Sequence, residues 1–204
     1  MVRVTRSHLA HPGLTSRKVL AKAGQALHPG EPWLGRRAIR FCDTVLEPGW
    51  RGLEWGSGRS TVWFGRRIRE LTSVEHDAAW HARTTLLIEQ ASLTRVRCLL
   101  IEVGDDPPEG ARAHDDEAPA YVSVARSFPD ESLDFVVVDG HYRQACILAA
   151  LPKLRPGRLI LVDNTNWMPL SEWGVPTDWP IVHQSSNVLG AETTVWRKPG
   201  GRAP

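Results

Sequence analysis

Residues 52–60 read Gly-Leu-Glu-Trp-Gly-Ser-Gly-Arg-Ser and combine an apolar run, a carboxylate and a glycine-rich turn. Glycine adopts positive φ angles without steric strain, so Gly56 and Gly58 allow the backbone to come close to a ligand. A helix start beyond them would offer free N–H groups to an anion. Glu54 stands two residues before the first glycine, however, and it would repel an anion. The segment therefore predicts a site for a ligand with a cationic amino-acid end.

Three further carboxylates stand where a short apolar run ends, namely Glu75, Asp139 and Asp163. In an open sheet of parallel strands, ligands bind outside the carboxyl ends of the strands, at the point where the strand order reverses. Buried carboxylates need partners, so four acidic strand ends in one crevice are hard to explain by folding alone. Their positions indicate a binding site.

The elements that must position these groups alternate along the chain. Apolar periodicity predicts helices over 33–46, 60–68, 78–90, 120–126 and 144–154, with strands over 51–55, 71–75, 96–103, 133–139, 158–163, 179–184 and 193–197. The expected fold is α/β: a single Rossmann-like, seven-stranded, mainly parallel sheet with helices on both faces and a C-terminal antiparallel hairpin. Residues 1–30 read as a flexible arm, and residues 31–204 as one domain.

Composition argues against nucleic-acid and membrane partners. The net charge is only +2, and the loop over 104–119 is acidic and would repel phosphate. That loop reads either as a solvated surface loop or as an active-site lid. There is no apolar run of about 20 residues and no signal-peptide segment, so a cytoplasmic location is expected. Cys42, Cys98 and Cys146 form no metal or disulfide pattern and are expected to be buried free thiols.

Nine tryptophans are many for 204 residues. Four of them, Trp33, Trp167, Trp173 and Trp179, lie in segments rich in proline and glycine. Each is expected either in the core or in the wall of a pocket.

These features resemble the class I S-adenosylmethionine-dependent methyltransferases over roughly residues 33–198. Glu54-x-Gly56-x-Gly58 is similar to the first motif of that family, and its cofactor has the cationic amino-acid end inferred above. The resemblance places Glu75 on the ribose hydroxyls, since a carboxylate can accept two hydrogen bonds from a diol. It implies cofactor contacts from Glu54, Gly56, Ser57, Gly58, Ser60, Glu75, His76, Trp80 and Asp139. Ser57 and Ser60 could instead cap the helix, and His76 could be solvated.

The later segments are similar to the cation-dependent O-methyltransferases of the catechol and caffeoyl-CoA types. In that group the residues matching Asp139, Asp163 and Asn164 hold magnesium, a hard cation that prefers oxygen ligands. The ion acts as a Lewis acid that lowers the pKa of the acceptor hydroxyl and orients it. The alternative is that these polar strand ends line a metal-free pocket.

The chain departs from this group at one catalytic position. Those enzymes have a lysine, as general base, three residues after the first metal aspartate, and this chain has Tyr142 there. Either His141 is the base beside Asp139, or a metal-bound oxygen needs none, or the acceptor is not a catechol. His141 could also contact a ligand without moving a proton. Asn166 lies near the recognised motif but outside it.

The expected function is methyl transfer from S-adenosylmethionine to a hydroxyl of a small molecule, with or without magnesium. One alternative is a metal-independent O- or N-methyltransferase of a sugar or secondary metabolite. Another is a nicotinamide-dependent oxidoreductase, although the third glycine of that fingerprint would fall at Thr61. A non-catalytic S-adenosylmethionine-binding protein is the last. A homodimer is expected only because small enzymes commonly form one.

Overall fold

The computed structural model of the chain describes residues 30–103 and 119–200. This part contains five α-helices: α1 Arg36–Val45, α2 Arg59–Gly65, α3 Ala78–Gln90, α4 Ala120–Ser123 and α5 Arg143–Ala150. Its strands are β1 Arg51–Trp55, β2 Glu70–Glu75, β3 Val96–Leu100, β4 Leu133–Val138, β5 Leu154–Val162, β6 Ile181–Ser186 and β7 Glu192–Arg197. The arm predicted over 1–30 lies outside the described residues except for residue 30. The acidic loop over 104–119 lies outside them except for residue 119.

All seven strands form one sheet in the order β3-β2-β1-β4-β5-β7-β6. The first five strands are parallel, and β7 pairs antiparallel with both β5 and β6. The predicted fold, including its closing hairpin, is therefore confirmed. Strand β1 pairs with β2 on one side and with β4 on the other. The switch point of the topology lies between β1 and β4, so the loops that follow these two strands face the ligand position.

Element ends differ from the sequence-based bounds for local reasons. Helix α5 ends at Ala150 rather than at residue 154, because Pro152 lacks the N–H that a helix interior requires. Strand β5 begins at Leu154, four residues before its predicted start. Its pairing with β4 shifts register between Leu133 and Phe135. Asp77 caps α3 as expected, since its side chain accepts a hydrogen bond of 2.6 Å from the Trp80 N–H.

The core has one apolar layer on each face of the sheet. Trp55, Tyr121 and Val136 are buried in one layer, whereas Phe64 and Phe135 are buried in the other. All six residues of β4 are buried, as expected for a central strand covered on both faces.

The three cysteines are free thiols, as expected; Cys42 and Cys146 are buried, and Cys98 is half-buried. Over the described ranges, none of the helices has the length and apolar character needed to cross a membrane.

Candidate functional site

The turn after β1 packs directly on the turn after β4. Gly56 has a φ of +90°, and a Cβ there would lie 2.8 Å from the carbonyl carbon and oxygen of Asp139. A Cβ on Gly140 would collide with the Tyr121 hydroxyl and lie 2.9 Å from the Gly56 nitrogen. Gly58 is extended, with a φ of 161°. Gly56 and Gly140 thus allow the two turns to pack closely. The sequence had indicated Gly56 but not Gly140.

Glu54 lies beneath this turn and is fully buried. Its Oε2 accepts hydrogen bonds from the hydroxyls of Thr61 at 2.6 Å and Ser73 at 2.7 Å. Burial raises the pKa of Glu54 to about 7, against the hydroxyls of Ser60, Thr61 and Ser73, which lower it. Thr61 Oγ1 also accepts from the Gly58 N–H at 2.9 Å. The threonine that stands in place of a third glycine therefore links Glu54 to the turn, a role that the sequence did not reveal.

The carboxylate of Glu75 holds the other side of the turn. Oε2 accepts from the Ser57 N–H at 3.0 Å and the Ser57 hydroxyl at 2.9 Å. Oε1 accepts from the N–H groups of His76 at 2.8 Å and Asp77 at 3.0 Å. The Ser57 hydroxyl also lies 3.2 Å from Thr84 Oγ1, so it has a second partner if it leaves Glu75.

Two histidines meet beside Glu75. His76 Nδ1 lies 2.9 Å from Glu75 Oε1. The His76 ring contacts His141 edge to face, with ring centroids 3.9 Å apart. Both side chains are half-buried and line the same cleft. The sequence placed these two residues in separate loops, and the fold brings them into contact.

The aspartates after β4 and β5 lie side by side. The pKa of Asp139 is raised to about 7, first by burial and then by the nearby Asp163, while Arg143 opposes the shift. Burial also raises the pKa of Asp163, against the hydroxyl of Thr193 and the charge of Arg143. Asp163 Oδ1 accepts a hydrogen bond of 2.5 Å from Thr193, which stands on β7.

A cation of the chain itself joins two of the three predicted metal ligands. Arg143 Nη2 lies 3.2 Å from Asp139 Oδ1, and Nη1 donates to Asn164 Oδ1 at 3.0 Å. Among the described residues, no three or more His, Cys, Asp or Glu side chains are grouped so that they could hold a metal. Asn166 instead accepts from the Glu192 N–H at 3.0 Å, at the start of β7. Metal binding by these residues stays a prediction.

The site opens into a cleft of about 1000 Å³ at the carboxyl edge of the sheet. Of the predicted site residues, those lining it are Gly56, Ser57, Gly58, Ser60, Glu75, His76, Trp80, Asp139 and His141. Glu54 and Asp163 are buried behind them, at 0% and 6% exposure.

The tryptophans divide between the two expected roles. Trp33 and Trp167 are about half exposed and form walls of the cleft, with Trp33 5.6 Å from the Trp80 ring. Trp179 is buried in the core, and Trp173 is buried in the core but also lines the cleft.

The fold is a Rossmann-like α/β sheet with a cleft at its switch point, and comparison with known proteins identifies the family. Residues 53–165, more than half of the chain, match a family described as "Methyltransferase domain". The chain therefore belongs to this family, within the class I S-adenosylmethionine-dependent methyltransferases. Among curated proteins, none matches the chain.

Solved structures share the fold. An O-methyltransferase from Bacillus cereus in complex with SAH has 17% identity and a TM-score of 0.56, covering 93% of this chain and 94% of its own. A methyltransferase from Geobacter sulfurreducens has 13% identity and a TM-score of 0.56, with 95% and 91% covered. An RNA methyltransferase from Salinibacter ruber, in complex with S-adenosyl-L-homocysteine, has 12% identity and a TM-score of 0.52, with 82% and 91% covered.

Proposed function

We propose that the chain transfers a methyl group from S-adenosylmethionine to a hydroxyl of a small molecule. One observation carries the proposal: the glycine turn after β1 packs on Asp139 and Gly140 at the switch point, at the floor of a cleft of about 1000 Å³. Cofactor and acceptor would meet there, so proximity and alignment would supply much of the rate.

The turn is suited to the methionine end of the cofactor. The backbone at Gly56, Ser57 and Gly58 lines the cleft, and about a third of the Asp139 side chain remains exposed for an ammonium group. Glu54 lies below the turn and adds negative charge when ionised. Two of the structural neighbours were solved with S-adenosylhomocysteine, which supports the choice of cofactor.

Glu75 would bind the ribose hydroxyls, as the family resemblance implies. Its oxygens already accept four bonds from Ser57, His76 and Asp77, which fills the capacity of a carboxylate. A ribose hydroxyl would therefore have to replace the Ser57 hydroxyl, which can turn to Thr84.

The chemistry needs only alignment and a proton acceptor. S-adenosylmethionine would supply the methyl group: its S–CH3 bond would break as the C–O bond forms, and its sulfonium would become a neutral thioether. The hydroxyl proton would pass to a ring nitrogen of His141, since an imidazole titrates near neutrality. His76 and the Glu75 carboxylate lie behind His141 and would stabilise the imidazolium.

The walls of the cleft favour a flat, apolar acceptor. Trp33 and Trp167 present about half of their surface, and Met168 lies beside them. Large aromatic faces bind planar ligands by stacking and by burial of apolar area. Magnesium has no role in this reaction scheme, because Asp139 Oδ1 and Asn164 Oδ1 already accept hydrogen bonds from Arg143.

Calorimetric titration with S-adenosylmethionine and S-adenosylhomocysteine tests the proposal, first with magnesium and then with a chelator. We expect micromolar binding in both conditions. The variant Glu75→Gln should bind about 10–100-fold more weakly, because hydrogen bonds to a charged acceptor contribute about 1.5–3 kcal/mol. Glu70→Gln, at the other end of β2, is the matched control and should bind like the wild type.

The experiment tests the cofactor and the ribose contact of Glu75 separately. If the wild type binds neither ligand, the methyltransferase proposal is wrong. If a folded Glu75→Gln protein keeps full affinity, only the ribose assignment is lost.

A further inference from the structure

Arg143 lies between the ends of the two central strands that carry Asp139 and Asp163. Its Nε donates to the Gly140 carbonyl at 2.9 Å. Nη1 donates to the Asp163 carbonyl at 2.5 Å and to Asn164 Oδ1 at 3.0 Å. Nη2 donates to the Asp139 carbonyl at 3.1 Å and to Asp139 Oδ1 at 3.2 Å. These are five contacts for the five N–H groups of a guanidinium.

The aromatic wall covers this guanidinium on one face. Its central carbon lies 4.4 Å from the centroid of the Trp167 ring, in cation–π contact. Only 11% of the Arg143 side chain is exposed. The arginine is therefore a fixed part of the site, and its hydrogen bonds leave none of its donors for an acceptor molecule.

Two residues next to these contacts adopt an uncommon backbone conformation. Tyr142 has a φ of +50° and Asn164 a φ of +58°, both in the left-handed region. Residues other than glycine adopt this region rarely, and the surrounding structure must hold them there. Tyr142 directly precedes Arg143, and Asn164 itself accepts a hydrogen bond from Arg143.

A divalent cation held by Asp139 and Asn164 would compete with the guanidinium for Asn164 Oδ1 and for one of the two oxygens of the Asp139 carboxylate. The Oδ1 atoms of both side chains already face the guanidinium, at 3.2 Å and 3.0 Å. Asp163 Oδ1 is bonded to Thr193 at 2.5 Å. A metal at this position would lie beside a buried positive charge and would have to displace it. The donor set therefore does not fit magnesium while Arg143 is in place.

We propose that the guanidinium of Arg143 takes the place of a divalent cation between Asp139 and Asn164, so that the site binds and orients its acceptor without a metal ion. This rests on the proposed function only in its mention of an acceptor. Arg143 is a positioning residue: it joins the loops after β4 and β5 and fixes the Asp139 carboxylate that lines the cleft. A planar fork suits this task, because it can bond two backbone carbonyls and two side chains at once.

Mn²⁺ binding, followed by electron paramagnetic resonance in the presence of S-adenosylhomocysteine, tests this inference. The wild type should bind no Mn²⁺ at this site up to millimolar concentration. Arg143→Gln removes the charge but keeps a polar side chain, and it should bind Mn²⁺ at least about tenfold more tightly than the wild type. The double variant Arg143→Gln/Asp139→Asn should lose that gain. Arg66→Gln, which removes an exposed arginine, is the control and should match the wild type.

Two results would overturn the inference. One is Mn²⁺ binding by the wild type that Asp139→Asn abolishes. The other is a folded Arg143→Gln protein, shown by circular dichroism, that gains no Mn²⁺ affinity. If Arg143→Gln does not fold, the wild-type and Asp139→Asn measurements still decide the question. Binding of S-adenosylhomocysteine by the wild type is read separately, so failure of the cofactor assignment cannot be confused with failure of this one.

Discussion

Strand β4 carries an aspartate at each end, and the two have opposite surroundings. Asp134, near the start, accepts from Arg155 Nη1 at 2.9 and 3.0 Å, and lies 3.3 Å from Arg158 Nε. The Arg51 N–H also donates to it at 2.9 Å. Asp139, just past the end, faces one arginine at 3.2 Å and has its pKa raised to about 7 by burial.

The same contrast holds along β2. Glu70, at its start, has its pKa lowered by the hydrogen bond from Arg51. Glu75, at its end, accepts hydrogen bonds from the N–H and hydroxyl of Ser57 and from the N–H groups of His76 and Asp77. At the amino edge of the sheet, carboxylates are neutralised by arginines and stabilise the fold. At the carboxyl edge, Glu75 and Asp139 line a cleft and have fewer arginine partners, as expected where a ligand binds.

The largest effect expected at the carboxyl edge comes from Gly56→Ala. Alanine at a φ of +90° is strained, and its Cβ would lie 2.8 Å from the Asp139 carbonyl group. Strain of about 1–2 kcal/mol and overpacking of about 1–3 kcal/mol should displace the turn from Asp139, and the displaced turn should bind S-adenosylhomocysteine about 100-fold or more weakly. Calorimetry measures this loss.

Alanine substitutions at two other glycines serve as controls for Gly56→Ala. Gly58→Ala should cost less, because its Cβ would only come within 3.5 Å of Trp80 Nε1. Gly49→Ala would place its Cβ in open space and should bind normally. Wild-type affinity in Gly56→Ala would show that the contact between the two turns is not needed for binding.

At the carboxyl edge of the sheet, the sequence predicted where the carboxylates lie better than it predicted which side chains they contact. Apolar runs located the ends of β1, β2, β4 and β5, because side chains of parallel strands follow a simple pattern of burial. It therefore placed all four carboxylates at one edge correctly. The lengths of α5 and β5 were less well predicted, because Pro152 ends the helix early and the pairing of β4 with β5 shifts register.

The Arg143 network could not be predicted in this way. Its contacts depend on left-handed turns at Tyr142 and Asn164, which bring the arginine between two strands. The bond from Thr193 to Asp163 joins residues 30 positions apart, and it depends on the pairing of β5 with β7. An arginine four residues after Asp139 was the available signal, but its spacing alone does not identify its partners.

Replacing the two aspartates of β4 by asparagine should separate stability from binding. Asp134→Asn should lower the free energy of unfolding by about 2 kcal/mol, because charge-assisted hydrogen bonds from two arginines are weakened. Affinity for S-adenosylhomocysteine should not change. Urea denaturation and calorimetry measure the two quantities.

Asp139→Asn should show the reverse pattern. Its free energy of unfolding should stay within about 1 kcal/mol of wild type, since asparagine can still accept from Arg143. S-adenosylhomocysteine, whose amino-acid end carries an ammonium group, should bind at least about tenfold more weakly. Equal effects of the two substitutions on both quantities would contradict the division between the edges.

Glu54 predicts a pH dependence of stability. Its pKa rises from 4.5 in the unfolded chain to about 7 in the fold, so the native state binds more protons between these values. The free energy of unfolding should therefore fall as pH rises from 5.5 to 7.5, with about 1–2 kcal/mol of the fall due to Glu54.

Glu54→Gln should flatten this slope, because glutamine does not ionise and can still accept from Thr61 and Ser73. The difference between wild type and variant isolates Glu54 from Asp139, whose pKa is raised in the same direction. Urea midpoints at the two pH values measure it. Parallel slopes in the two proteins would contradict the raised pKa.

The smallest expected effect belongs to Glu70, at the amino edge. Its ion pair with Arg51 spans 2.9 Å, but both side chains are 36% exposed, so solvent screens much of the attraction. Glu70→Gln should change the free energy of unfolding by less than about 1 kcal/mol. Its lowered pKa contributes stability that is fully present above the unfolded value of 4.5 and is lost as pH falls through the folded value, so the effect of Glu70→Gln should be the same at pH 5.5 and 7.5. A loss as large as that of Asp134→Asn would mean that an arginine partner, rather than burial of the pair, determines stability at this edge.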